Sequence, residues 1–298
     1  MTQLELTLEW INHTHKCFAR NEETRKVWEK IVLQEALNTP FLLHGILALS
    51  ALHLSHLRED GRHVMWLDIA IAHKNTALSI FSEQLNNISQ SNAKAMMSFA
   101  SMAFAFGLAS ALKMGVTKEG SKLEALTNVF VLARGIQSVI FIEETYIHQS
   151  SFAPLFNMTP PEVTIPEDVL MALDRLKHLH DRYSLHSPDH DPRPYNTAIN
   201  TIERLISYTY KEPTSMTLAG GWAMRVPEEY LDDLKSRKPL ALVVLAHLCV
   251  FLHLGQENWC MGSWGREVME DIIAILDSDW RPHISWASEQ VLGARLTS

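Results

Sequence analysis

The chain has 298 residues, with 26 Lys and Arg against 34 Asp and Glu, a formal net charge of −8. That balance excludes a protein that holds nucleic acid by broad neutralisation of phosphates. The hydrophobic fraction of 47% supports a sizeable core, and three scattered cysteines, Cys17, Cys249 and Cys260, with no CxxC pair, argue against a disulfide framework.

The first ten residues, MTQLELTLEW, lack a cationic stretch followed by an apolar one, so no secretory signal is expected. A first helix is predicted over 4–19 and a second over 22–37, where Val27, Ile31, Leu33 and Leu37 fall near helical spacing. Pro40 sits where a first helical turn tolerates it. The stretch 41–58 is apolar on nearly every side, the mark of a central helix. After Gly61, a long amphipathic helix is predicted over 64–86, with Trp66, Ile69, Ala70 and Ala77 on one face.

Residues 93–112, AKAMMSFASMAFAFGLASAL, form the second buried candidate, and a turn at Gly115 and Gly120 leads to a helix over 122–142. Four prolines make 151–166 a connection. A helix over 167–183 follows. The run HSPDHDPRP over 186–194 is expected to stop any helix, because proline removes a donor and clashes with the preceding turn. Further helices are predicted over 195–210, 212–226, 228–235 and 240–254, the last being the third all-apolar one. Gly262 and Gly265 flank Trp264 in a turn, a last full helix covers 266–277, and 280–286 reads as a tail. No apolar run reaches the ~20 residues that cross a bilayer without polar interruption, so no membrane span is expected.

These elements predict an all-α, multi-layer helical bundle with an internal apolar pocket, either one domain over 1–298 or sub-bundles 1–150 and 167–298 joined by the proline-rich connection. GxSxG, GxGxxG, GxxxxGK[ST] and HExxH are all absent, and DDxxD fails because Asp232 and Asp233 lead to Ser236. Fifteen histidines invite a metal, yet His53 with His56, His247 with His253, and the group His178, His180, His186 and His190 show no zinc-like spacing. No metal or other cofactor is therefore expected. The stripe Met96, Met97, Phe99, Met102, Phe104 and Phe106 reads either as ordinary core or as the lining of an adaptable pocket.

Two stretches carry a family resemblance. One is PFLLHGILALSALHLSHLR over 40–58. The other runs from Trp222 to Trp286, with Pro227, Tyr230, Arg237, Pro239, Ala241, Leu242, Ala246, His247, His253, Trp259, Gly262, Trp264 and Gly265 in register. Together they resemble the regulatory domain of fungal zinc-cluster transcription factors, closest in kind to the ligand-sensing domain of sterol uptake control proteins. The resemblance implies a deep apolar pocket, homodimerisation, and control of transcription by a sterol. Three scattered cysteines cannot form that family's six-cysteine DNA-binding cluster. Ser263 interrupts its Gly-Trp-Gly run, and Ala287 replaces a proline.

The leading expectation is a ligand-binding regulatory domain, cytoplasmic or nuclear, that takes a sterol or a terpenoid- or polyketide-like molecule and does not itself contact nucleic acid. The expected pocket residues are Met97, Phe104, Phe141, Trp222, Met224, His253, Trp259, Met261 and Trp264, with His253 as the polar contact; the ordinary alternative for each is core packing. The segment 255–265 is a candidate gate or a rigid turn. The rival expectation is a cofactor-independent cyclase of fungal secondary metabolism, with His253, Glu257 or Asp233 as acid or base. A dimerising scaffold without ligand is the third.

Overall fold

The computed structural model describes residues 2–57, 61–113, 121–142 and 144–293, with the side chains of 113, 135–142 and 144 outside that description. Among the described residues every regular element is a helix, so the all-α expectation holds. Gly115, Gly120 and the turn assigned to them lie outside the described residues.

The chain divides into two compact units, Met1–Lys113 with Leu132–Thr159, and Met114–Val131 with Pro160–Ser298. The first opens with α1 (Thr2–Asn12), a 3-10 turn (Thr14–Phe18), α2 (Glu22–Lys26), a π-helical turn (Val27–Ile31) and α3 (Val32–Ala36). The helix expected over 4–19 therefore breaks at His13. His15 explains part of this: its ring bonds the Trp10 carbonyl at 2.7 Å, and the Trp10 indole donates to the Trp28 carbonyl at 3.1 Å. Asn21 and Thr24 form a reciprocal capping box that starts α2.

Next come α4 (Pro40–Leu57), α5 (Arg62–Gln84) and α6 (Ala93–Lys113). α4 buries an unbroken run from Gly45 to Ser55, whereas α5 buries only Trp66, Ala70 and Ala77, which share one face. The rings of Phe41, Phe81 and Phe99 lock the three helices, with centroids 4.8–5.7 Å apart. Gly45 is required at the α4–α6 contact, because a Cβ there would lie 2.7 Å from the Phe99 ring. α7 (Lys122–Ile142) passes from the second unit into the first, followed by α8 (Glu144–His148) and α9 (Ala153–Phe156). The expected connection thus holds one helical turn. Arg20 caps it, donating to the carbonyls of Pro154, Leu155 and Asn157 at 2.6–3.0 Å.

The second unit contains the start of α7, then α10 (Glu167–His186), α11 (Pro192–Lys211), α12 (Thr217–Arg225), α13 (Glu228–Lys235), α14 (Pro239–Leu254), α15 (Trp264–Ile275), a 3-10 turn (Arg281–Ile284) and α16 (Ser285–Leu292). α14 is its axis, with thirteen successive residues from Leu240 to Leu252 buried. Prolines 192 and 194 do not delay α11 as expected. Pro192 occupies the first turn, whose N–H is unneeded, and the Asp191 carboxylate accepts from the Arg193 N–H at 3.0 Å. The expected tail is in fact a 3-10 turn and a helix.

α13 and α14 meet at 103°. The corner is a Schellman turn: the Arg237 N–H bonds the Leu234 carbonyl and the Lys238 N–H the Asp233 carbonyl, both at 2.9 Å. Arg237 takes φ 55°, a left-handed conformation that usually falls to glycine. Elsewhere the start of α7 is capped from a distance. Asp271 of α15 accepts from the Ser121 hydroxyl at 2.8 Å and the Leu123 N–H at 2.9 Å.

Two helices do have the length and mean hydropathy of a membrane span, α4 over Pro40–Leu57 and α6 over Ala93–Leu112, contrary to the expectation that polar interruptions would rule this out. Scattered Ser and His barely lower a long average. In both, 72% of the window is buried within the protein itself.

Candidate functional site

In the second unit, α10, α14, the 3-10 turn and α16 line a partly open cavity of about 220 Å³. α10 supplies an apolar wall from Ala172, Leu176 and Leu179, with Arg175 beside them; these positions recur at helical spacing on one face. Pro282 and His283 come from the 3-10 turn, and Ser285 and Trp286 from α16. α14 contributes His247 alone, the one ring nitrogen-bearing group on this side of an otherwise apolar helix.

His247 is 4% exposed. Its Nδ1 lies 2.8 Å from the Val243 carbonyl, and since a carbonyl only accepts, Nδ1 carries the proton. Nε2 is then a bare acceptor. Burial pushes the imidazole down to about 4, and Arg175 and His283 push in the same direction, so the ring is neutral at physiological pH. The ring stacks on Trp286, with centroids 5.8 Å apart and planes 24° from parallel. The Trp286 indole donates to Asp168 at 3.1 Å, which fixes its orientation. His283 is also held below its usual range, by burial and then by Arg182. Arg175 is exposed at the rim. The cavity therefore combines an apolar wall, an aromatic plate, a permanent cation at its mouth and a neutral acceptor in its interior.

None of the nine expected pocket residues lines this cavity. Met97 and Phe104 are buried in α6, in the first unit. The Phe141 side chain lies outside the described residues. Trp222 is fully buried in α12, donates to the Ala198 carbonyl at 3.0 Å, and packs against Phe130 and Tyr230. Met224, on the same helix, is half-buried. Met261, Trp264 and His253 gather around the turn between α14 and α15, with Trp259 half-buried in that turn.

The turn is closely stitched. Asn258, 4% exposed, donates to the Thr214 carbonyl at 2.6 Å and accepts from the Cys260 N–H at 2.9 Å. Gly265 is held where a Cβ would come 2.5 Å from both the Cys249 carbonyl and the His253 N–H nitrogen. The glycines there serve close approach as well as turning. Of the residues considered as acid or base, Asp233 has both oxygens engaged, one by the Tyr195 hydroxyl at 2.8 Å and the other by Lys238 at 2.7 Å. Glu257 is exposed, and His253 is half-buried and held below its usual range by burial and by Arg266.

A grouping in the first unit has the residue types of a nucleophile, base and acid: Thr14, His53 and Glu9. Both partners approach the same nitrogen, His53 Nδ1, at 3.1 and 3.0 Å. A proton relay needs them on opposite nitrogens, so the grouping does not assemble that chemistry. Among the described residues, no three or more His, Cys, Asp or Glu side chains converge on a metal position.

Sequence reasoning passed over Arg175, His283 and Ser285 and counted His247 only as one of a poorly aligned pair. The available signal was His247 as the one buried histidine in an otherwise largely apolar helix, together with the closing Trp286.

Comparison with known proteins gives two findings. Residues 10–111 match the family model of the fungal specific transcription factor domain, which runs from the end of α1 into α6. A Zn(2)-C6 fungal-type transcription factor of Gibberella zeae is 22% identical over 307 aligned positions, covering 96% of this chain and 61% of that protein. The chain thus spans about three fifths of the length of the curated relative it matches.

Proposed function

We propose that this chain is the regulatory part of a fungal-type transcription factor and that a small apolar molecule sets its output. The observation that carries the proposal is the alignment of 96% of the chain with a named transcription factor, together with the domain match over 10–111. The net charge of −8 supports assigning DNA contact to another part of the molecule. Residence in the nucleus as well as the cytoplasm, and pairing of two copies, belong to the same proposal.

Control by a ligand requires that it bind one arrangement of the protein more tightly than another. The cavity supports this reading by its mixture of apolar wall and few convergent polar groups. A cavity of about 150 Å³ holds a benzene, so this one, at about 220 Å³, accommodates a compound of one ring and a few further atoms.

The test is a fusion of the chain to an unrelated DNA-binding module, driving a reporter in a fungal host. The expected result is an output that differs from that of the bare module and changes when apolar metabolites are fed. Identical output from fusion and bare module under every feeding condition refutes the proposal.

A further inference from the structure

The cavity of the second unit holds a polar group that the fold does not use. A ring nitrogen of a histidine in a pocket wall that has no protein partner is left for water or for a ligand that can donate to it. His247 satisfies only Nδ1 within the protein; Nε2 has no protein partner among the described residues, and the ring forms part of the cavity wall. The tautomer is fixed by the Val243 carbonyl, so the group offered to the cavity is an acceptor. Its partner must therefore be a donor, such as a hydroxyl.

The mouth asks for the opposite chemistry. Arg175 is a planar cation with five donors, and no ion pair to it is found among the described residues. Arg182 stands close enough to His283 to lower its proton affinity, adding to a locally positive rim in a chain that is acidic overall. The Asp168 carboxylate, on the same helix, is taken up by the Trp286 indole. The stacked rings of Trp286 and His247 line the cavity together with Leu176 and Leu179. A flat ring fits between such surfaces, because offset aromatic contacts add to simple burial.

We propose that the α10–α14–α16 cavity is a binding site for a one-ring aromatic carboxylate that also bears a hydroxyl. The carboxylate meets Arg175, the ring lies against Trp286, and the hydroxyl donates to His247 Nε2. The site itself stands on the cavity; its regulatory consequence rests on the transcriptional role proposed above, with an aromatic anion in place of an apolar ligand.

The probes are 4-hydroxybenzoate, benzoate, which lacks the donor, and phenol, which lacks the charge. Each is titrated into the purified full chain and read by saturation-transfer NMR and calorimetry. Arg175→Gln, at an exposed position, is expected to leave the fold intact as read by circular dichroism. It is expected to weaken 4-hydroxybenzoate and benzoate about tenfold and to leave phenol unchanged, the loss of a charge-assisted contact screened by water. His247→Phe keeps the ring against Trp286 but removes the acceptor. It is expected to weaken 4-hydroxybenzoate and phenol about tenfold and to leave benzoate unchanged. If none of the three binds at millimolar concentration, or if both variants treat all three probes alike, the proposal is overturned. Binding that shows the expected pattern, with a reporter fusion that ignores 4-hydroxybenzoate, keeps the site and removes only its regulatory role.

Discussion

Acid should weaken the second unit through His247, and the size of the effect follows from its surroundings. Protonating this ring places a charge at a position 4% exposed, with Arg175 facing it from α10 and His283 from the 3-10 turn. The folded imidazole titrates at about 4 against 6.5 when unfolded. The folded state therefore binds fewer protons than the unfolded one between those values, and stability falls as pH drops through that window, with no contribution above it. From about pH 7 to about pH 4.5 the loss assignable to this group is about 2 kcal/mol. Other histidines held low, including His15, His180 and His190, add their own losses, so the informative quantity is a difference. His247→Phe preserves the stack on Trp286, and Val243 keeps its backbone partner. Urea unfolding followed by tryptophan fluorescence is measured at both pH values for wild type and variant. Near neutral pH the two should agree to about 1 kcal/mol. Near pH 4.5 the variant should be the more stable by about 2 kcal/mol relative to its neutral-pH standing. Equal acid losses in the two proteins would mean that His247 is solvated or differently bonded, and the cavity argument would go with it.

Three further outcomes follow from packing and capping. Gly265→Ala places a Cβ against backbone atoms at 2.5 Å and should destabilise by about 3 kcal/mol or more, whereas Gly61→Ala, with nothing within 4 Å, should be neutral or slightly stabilising; thermal unfolding of the pair would separate steric from entropic effects. Arg237→Gly relieves the left-handed residue at the α13–α14 corner and should raise stability by about 1 kcal/mol, an unchanged melting point counting against the assigned turn. Asp271→Ala removes the distant cap of α7 and should cost about 1–2 kcal/mol, with faster amide exchange at Leu123 as its local sign; unchanged exchange there would exclude the capping role.

The helices were legible wherever one signal ruled. The apolar runs of α4, α6 and α14 and the period of α7 give their extents to within a residue or two, because nothing competes with burial there. Where two local rules met, the reading failed. Leu4 to Ala19 has helical composition throughout, yet His15 turns back to the Trp10 carbonyl and the helix ends. Prolines 192 and 194 read as a stop, yet with Asp191 before them they make a start. The connection over 151–166 conceals α9, whose cap comes from Arg20, more than 130 residues away. The cavity was less legible for the same reason. Large apolar residues such as Trp222 and Trp264 suggest pocket walls, but in this fold both are fully buried. The cavity depends instead on Arg175, His283 and Ser285, ordinary surface residue types whose convergence is decided by α10 and α16 meeting across α14.

The burial of α14 also constrains how the chain is made. Its apolar surface is covered in part by α15 and α16, which follow it in sequence. While the ribosome is still adding residues 264–292, a sixteen-residue helix with thirteen core residues has no permanent cover. A nascent chain in that state is a chaperone substrate and prone to self-association. Premature termination anywhere between α14 and α16 is thus expected to yield aggregate rather than a shortened working protein, which sedimentation of stalled or truncated products would reveal.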